Sequence, residues 1–192
     1  MSHFFAYLSR LKLIKRWSLM HNVMPENSQE HSWQVATIAH ALGMIQVRLF
    51  GGMVNANKAA VLALYHDASE VITGDLPTPI KYANDNIKDA YHCLESNACN
   101  RLISMLPEEL IPGYEPLLCP DESPEMELVH IADKIAAYLK CVEEESVGNS
   151  EFTVARASIE EKLHEYETKR PEVAYFLEHF VPSFALTLDE MK

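Results

Sequence analysis

The chain has 192 residues, 48% hydrophobic and 23% charged, a balance that suits an ordinary folded protein and shows no long low-complexity tract. Its formal net charge of −12 argues against a nucleic-acid polymer as partner, because phosphate contacts need a basic surface. No apolar run approaches the ~20 residues that span a bilayer, and the stretch Met1 to Leu8 lacks the small-residue cleavage site of a secretory signal, so neither membrane nor export is expected.

Taken in order, residues 3 to 20 carry Phe4, Phe5, Leu8, Leu11, Leu13 and Ile14 mostly at helical spacing, which predicts a first helix ending near Trp17. Arg16-Trp17 is a candidate site pair, although a solvated C-terminal cation beside a core tryptophan fits the same residues. After a polar linker, Asn27 or Ser28 caps a helix over 28 to 49, with Val35, Ile38, Ala39, Leu42, Ile45 and Leu49 as its apolar stripe. His31 lies in its first turn. His40, nine residues later, falls on roughly the opposite face, so it reads as structural and His31 as the ligand candidate.

Asn55 caps a third helix, predicted over 56 to 72, that carries Tyr65-His66-Asp67-Ala68-Ser69-Glu70. Burying a histidine and two acids beside the run Ala59 to Leu64 costs several kcal/mol unless something pairs with them, and a bound cation is the simplest partner. His66 and Asp67 reach one ion from this segment, while Glu70, one turn on, stands beside it without binding. Gly74 ends the helix, and Asp75-Leu76-Pro77-Thr78-Pro79 reads as a stiff loop, either a recognition element or a plain connector.

A helix is expected over 84 to 105, with Ile87, Ala90, Tyr91, Leu94, Ala98, Leu102 and Met105 inward, followed by an irregular proline-interrupted stretch from Pro107 to Pro124. Ser123-Pro124 opens a helix to about 147. Asp133 sits inside its apolar context and needs a partner, unless it forms a surface pair with Lys134. A charged helix from Ser150 to about Lys169 and a short one from Pro171 to Phe180 complete an all-α chain, predicted as a single domain over 1–192. Cys93, Cys99, Cys119 and Cys141 show neither C-x-x-C pairing nor zinc-ribbon spacing, which predicts free thiols in a reducing compartment.

His31, His66, Asp67 and Asp133, from three predicted helices, form a borderline-hard donor set suited to one divalent ion such as Co²⁺, Mn²⁺ or Zn²⁺. The H…HD…D spacing is weakly specific by itself. With Arg16-Trp17, Glu30-His31-Ser32, the run from Tyr65 to Glu70, Gly74-Asp75-Leu76-Pro77-Thr78-Pro79 and Ala132-Asp133, the chain resembles the His-Asp (HD) domain metal-dependent phosphohydrolases, and within them the bacterial 5′-deoxynucleotidases. That resemblance implies an HD-type helical bundle that hydrolyses deoxyribonucleoside 5′-monophosphates, acting as a cytoplasmic homodimer. It implies metal ligation by His31, His66, Asp67 and Asp133, general acid/base work by Glu70, and phosphate orientation by Arg16. Trp17 would lie against the sugar, and Asp75 with Leu76, Pro77 and Thr78 would hold the nucleoside. Alternatives are hydrolysis of a triphosphate, alarmone or cyclic nucleotide, and a non-catalytic metal- or nucleotide-binding regulator.

Overall fold

A computed structural model describes residues 1–191, and among them the secondary structure is helical, with one isolated bridge between Lys15 and Asn27 and no strand. The N-terminal segment departs from expectation. Helix α1 (Phe4–Leu8) passes into a 3-10 turn over Ser9–Leu13 and stops there, well short of Trp17. The backbone beyond it finds partners across the chain instead of along a helix: the Ser28 amide donates to the Ile14 carbonyl at 3.0 Å, and the Arg16 amide to that of Glu26 at 3.1 Å. Two loop segments, 14–17 and 26–28, are thereby laid side by side.

Helix α2 (Ser28–Leu49) has the bounds its periodicity predicts, capped by the Asn27 side chain, which accepts from the amides of Gln29 and Glu30. Val35, Ile38, Ala39, Leu42 and Ile45 are buried, whereas Leu49 at the helix end is exposed. Helix α3 (Ala56–Tyr65) begins at the Asn55 cap but ends seven residues before the predicted stop. Residues 66–69 form tight turns, with the Ala68 amide bonded to the Tyr65 carbonyl and the Glu70 amide to that of Asp67, before a single helical turn, α4 (Glu70–Thr73). Gly74 closes that turn at φ 73, a conformation its missing Cβ permits.

Thr78, Pro79 and Ile80 belong to a short helix, α5 (Thr78–Lys81), so only residues 75–77 form the stiff connector expected over 75–79. Helix α6 (Asp85–Ile103) buries Tyr91, Ala98 and Leu102, while Ile87, Ala90 and Leu94 face solvent, narrowing the predicted inner stripe. The proline-rich stretch is more ordered than its composition suggests. After a 3-10 turn over Glu108–Leu110 it forms α7 (Ile111–Leu118), in which Pro112 occupies the first turn, where no amide donor is needed. Helix α8 (Pro124–Ser146) is capped by Ser123, as expected. Asn149, not Ser150, caps the 3-10 turn Ser150–Phe152 that precedes α9 (Thr153–Glu167), and α10 (Pro171–His179) follows.

Apolar side chains gather in two clusters. The larger joins α2, α3, α8 and α10 through Leu42, Leu62, Ile131, Ile135, Leu139 and Phe176, each such side chain contributing roughly 2 kcal/mol when fully buried. The smaller joins α1, α6 and α7 through Phe4, Leu102, Leu106 and Leu118, with Ala68 packed among them. Ala63 belongs to the first cluster and Ala68 to the second, so the tight turns at 66–69 lie on the seam between them. That seam holds the polar residues of interest.

Candidate metal and substrate site

Three elements deliver the central group. His31 comes from the first turn of α2, His66 and Asp67 from the turns after α3, and Asp133 from the middle of α8, where Ile131, Ala132 and Ile135 are fully buried around it. His31, His66 and Asp133 each offer a ligand atom within 4.8 Å of the others. Asp67 joins them, its Oδ2 standing 3.1 Å from His66 Nε2 and 3.7 Å from His31 Nε2. Asp133 Oδ1 is 3.0 Å from His31 Nε2, and no ion pair with Lys134 occurs among the described residues. His40 instead meets Asn57 at 3.2 Å, away from this group.

These residues fit a cation. His31 Nε2 and His66 Nε2 are buried and close to carboxylate oxygens, yet neither makes a hydrogen bond among the described residues, an arrangement that costs free energy unless a common partner sits between them. The His66 Nδ1–H donates to the Ala63 carbonyl at 2.7 Å, which fixes the ring and turns the Nε2 lone pair toward the cluster. The field points the same way. Burial opposes charge on His66, but Asp67 and Asp133 outweigh it and push the imidazole up to about 9. Burial likewise opposes ionisation of Asp67, yet His66, His31 and Arg16 pull it down to about 2. Asp133 is held below the usual carboxylate range by His31, His66 and Arg16 against its own burial.

Glu70 sits beside this group and outside it. It is buried, and Ser28 Oγ donates to its Oε2 at 2.6 Å. Burial first, then the neighbouring Asp67 charge, raise its carboxyl to about 8, although the Ser28 bond pulls the other way. A carboxyl in that range exchanges a proton near neutral pH.

Arg16 is a half-buried neighbour of this group and not the solvated cation its sequence context also allowed. Its Nε donates to Glu26 Oε2 at 3.2 Å and its Nη1 to Asp67 Oδ2 at 3.5 Å. Burial opposes its charge, but Asp67, Asp133 and Glu26 hold it protonated. Trp17 takes a left-handed backbone at φ 55, uncommon for a bulky residue, with its ring 5.3 Å from that of Phe152. Asp75 lies within the field of Arg16. Burial lifts its carboxyl above the ordinary range, and the guanidinium partly offsets that. Leu76 and Pro77 are half-buried and Thr78 is exposed at the start of α5, with no hydrogen bond joining the Thr78 side chain to the cluster among the described residues.

Two residues of this neighbourhood carry no sequence signal of function. Ser28 reads only as a helix cap, and Glu26 reads as linker. Both become visible when the 14–17 and 26–28 segments pair, a contact that periodicity cannot report.

Residues 3–184 match the family described as 5′-deoxynucleotidase YfbR-like. The 5′-deoxynucleotidase of Klebsiella pneumoniae strain 342 is 53% identical over 194 residues, covering 99% of this chain and 96% of that protein. Among solved structures, an HD-domain phosphohydrolase from Listeria innocua matches with a TM-score of 0.82 at 29% identity, over 95% of this chain and 88% of the other. An HD phosphohydrolase of cyanophage S-2L, bound to dA and one catalytic Zn²⁺ ion, shares the fold at a TM-score of 0.66 and 20% identity, over 93% and 96% of the two chains. With nearly every residue of the chain inside the match, it belongs to the YfbR-like 5′-deoxynucleotidase family.

Proposed function

We infer that the chain is a metal-dependent 5′-deoxynucleotidase, a single HD-type unit over 1–192 that hydrolyses deoxyribonucleoside 5′-monophosphates to the deoxyribonucleoside and phosphate. The observation that carries this reading is the convergence of His31, His66 and Asp133 on one point, with Asp67 against both imidazoles and Glu70 and Arg16 alongside. The named activity of the Klebsiella pneumoniae relative supports the reaction, and the dA in the cyanophage neighbour supports a deoxynucleoside ligand.

His31, His66, Asp67 and Asp133 would hold one divalent ion, with Co²⁺, Mn²⁺ and Zn²⁺ all suited to the two-imidazole, two-carboxylate set. When bound, such an ion polarises the phosphoryl group and acidifies water at neutral pH. The protein's own side chains then do the rest. Arg16 makes no hydrogen bond through Nη2 among the described residues, so that nitrogen is left to grip a phosphate oxygen, and its planar fork orients the group better than an ammonium would. Glu70, buried beside the ligand group, takes a proton from water and returns one to the leaving 5′-oxygen. Trp17 presents its indole to the sugar, where bulk disfavours a 2′-hydroxyl. Asp75, with Leu76, Pro77 and Thr78, accepts the nucleoside's hydroxyl and flanks its base.

A cytoplasmic homodimer is the working form proposed. Four free cysteines suit a reducing compartment, and no helix among the described residues is long and apolar enough to cross a membrane. Exposed Trp33 and Met44 on α2, with Val61 and Leu64 on α3, supply apolar surface for a second copy.

The direct test is phosphate release from dAMP, dTMP and AMP with added Co²⁺, Mn²⁺ or Zn²⁺. Release from the deoxynucleotides in clear excess over AMP is expected. Silence on all three with every ion, or a preference for AMP, would overturn the reading.

A further inference from the structure

We propose that Glu26 is a positioning residue that locks Arg16, Trp17 and His31 into one geometry, so that ion binding and deoxynucleotide recognition are set by a single carboxylate. The proposal rests on the roles given above to those three residues.

Glu26 lies on a loop that contributes no ligand, yet both its oxygens face the site. Its Oε2 accepts from Arg16 Nε at 3.2 Å and from Trp17 Nε1 at 3.1 Å. Its Oε1 takes no hydrogen bond among the described residues and stands 3.8 Å from His31 Nδ1. That ring nitrogen is buried and has no hydrogen-bond partner either. A shift of roughly 1 Å would bring the pair to the ~2.8 Å of a charge-assisted bond. Such a carboxylate–histidine contact fixes tautomer and ring direction for a ligating Nε2. His66 obtains the same service from the Ala63 carbonyl, and Glu26 is the group placed to supply it for His31.

The backbone around Trp17 is a second, independent observation. A tryptophan at φ 55 is strained and persists only where its surroundings over-determine it. Glu26 holds the indole N–H from one side, and the Asn22 side chain donates to the Trp17 carbonyl at 3.1 Å from the other. The backbone pairing of Arg16 with Glu26 fixes where that carboxylate starts. Two N–H donors meet one oxygen of this acid, and its other oxygen stands 3.8 Å from a buried ring nitrogen, an arrangement that calls for a carboxylate. Because Arg16 Nε and Trp17 Nε1 share Oε2, a glutamine that keeps its one acceptor oxygen there turns its NH₂ toward His31 Nδ1, where a donor would face the N–H side of a ligating ring.

The decisive experiment compares wild type with Glu26→Gln by titrating Co²⁺ alone, read through its visible absorption, and by steady-state kinetics on dAMP and AMP. For Glu26→Gln, the Co²⁺ dissociation constant is expected to rise about 10- to 100-fold. The KM for dAMP rises more than kcat falls, and the preference for dAMP over AMP shrinks. On an Arg16→Ala background the KM increment largely disappears, because the carboxylate acts on phosphate through that guanidinium. Glu26→Asp, which keeps the charge but draws it back, recovers part of the Co²⁺ affinity and serves if the glutamine variant folds poorly. Native Co²⁺ affinity in Glu26→Gln, or an undiminished KM increment without Arg16, would overturn the proposal. Those outcomes differ from failure of the functional reading itself, in which wild type neither binds Co²⁺ nor releases phosphate.

Discussion

Glu70 shows how one side chain's surroundings set its chemistry. Burial and the Asp67 charge lift its carboxyl to about 8, while the 2.6 Å bond from Ser28 keeps it in place. A group placed this way suits the proton transfer proposed for it and need not bind the ion. Replacing it by glutamine keeps the shape and removes the titrating oxygen. Turnover of Glu70→Gln is expected to fall about 10²–10⁴-fold with the bound-metal content unchanged. Rate measurements paired with elemental analysis check both halves, and retained turnover would remove Glu70 from the mechanism. The type and position of Glu70 were legible in the sequence, because two acids and a histidine beside an apolar run demand an explanation. Its local geometry was not. A continuous helix predicts Glu70 one turn above His66, whereas tight turns at 66–69 actually set its direction. Glu26 was not legible at all, since its partners lie nine and ten residues away across a loop and leave no periodic trace.

Among the helices, the pair α2 and α3 sets the spacing of the site. Gly43 lies on the buried face of α2, where a Cβ would come within 2.8 Å of the Ala56 Cβ and 2.9 Å of the Ala56 Cα. Glycine inside a helix costs ~1 kcal/mol relative to alanine, and here it permits close approach of two backbones. For Gly43→Ala, overpacking of about 1–3 kcal/mol outweighs that gain, so thermal unfolding is expected at a lower temperature than wild type. A higher unfolding temperature would mean that the helices can part without loss. Helix α8 has a comparable fixed point in Glu144, fully buried and bonded to Lys140, to Asn149 and to the amides of Val23 and Met24. Burial opposes its ionisation, but these donors prevail and bring the carboxyl down from 4.5 to about 2. The folded-state value is depressed, so the stabilisation is complete above about 4.5 and is lost as pH falls toward 2, an effect on the order of 3 kcal/mol. Urea midpoints measured across that range should fall more steeply for wild type than for Glu144→Gln, which should also be less stable at pH 7. Parallel curves would contradict the assignment. Long amphipathic helices such as α2 and α8 were predicted at nearly their observed bounds, because period and caps agree. The segments 3–17 and 107–124 were not, since 3-10 turns and a proline-containing helix answer to tertiary contacts more than to local pattern.

At the scale of the whole molecule, two apolar clusters meet along a seam, and the polar site occupies it. The larger cluster carries α2, α3 and α8, and with them His31 and Asp133. The smaller holds Ala68 and so anchors the turn that bears His66 and Asp67. The packing of both brings four candidate ligands from distant parts of the chain to one place. The most direct test of that arrangement is anomalous diffraction from crystals soaked in Co²⁺ or Zn²⁺. One strong peak is predicted, about 2.0–2.2 Å from a nitrogen of His31 and of His66 and from an oxygen of Asp67 and of Asp133. A peak elsewhere, or one bonded to fewer than three of these residues, would contradict it.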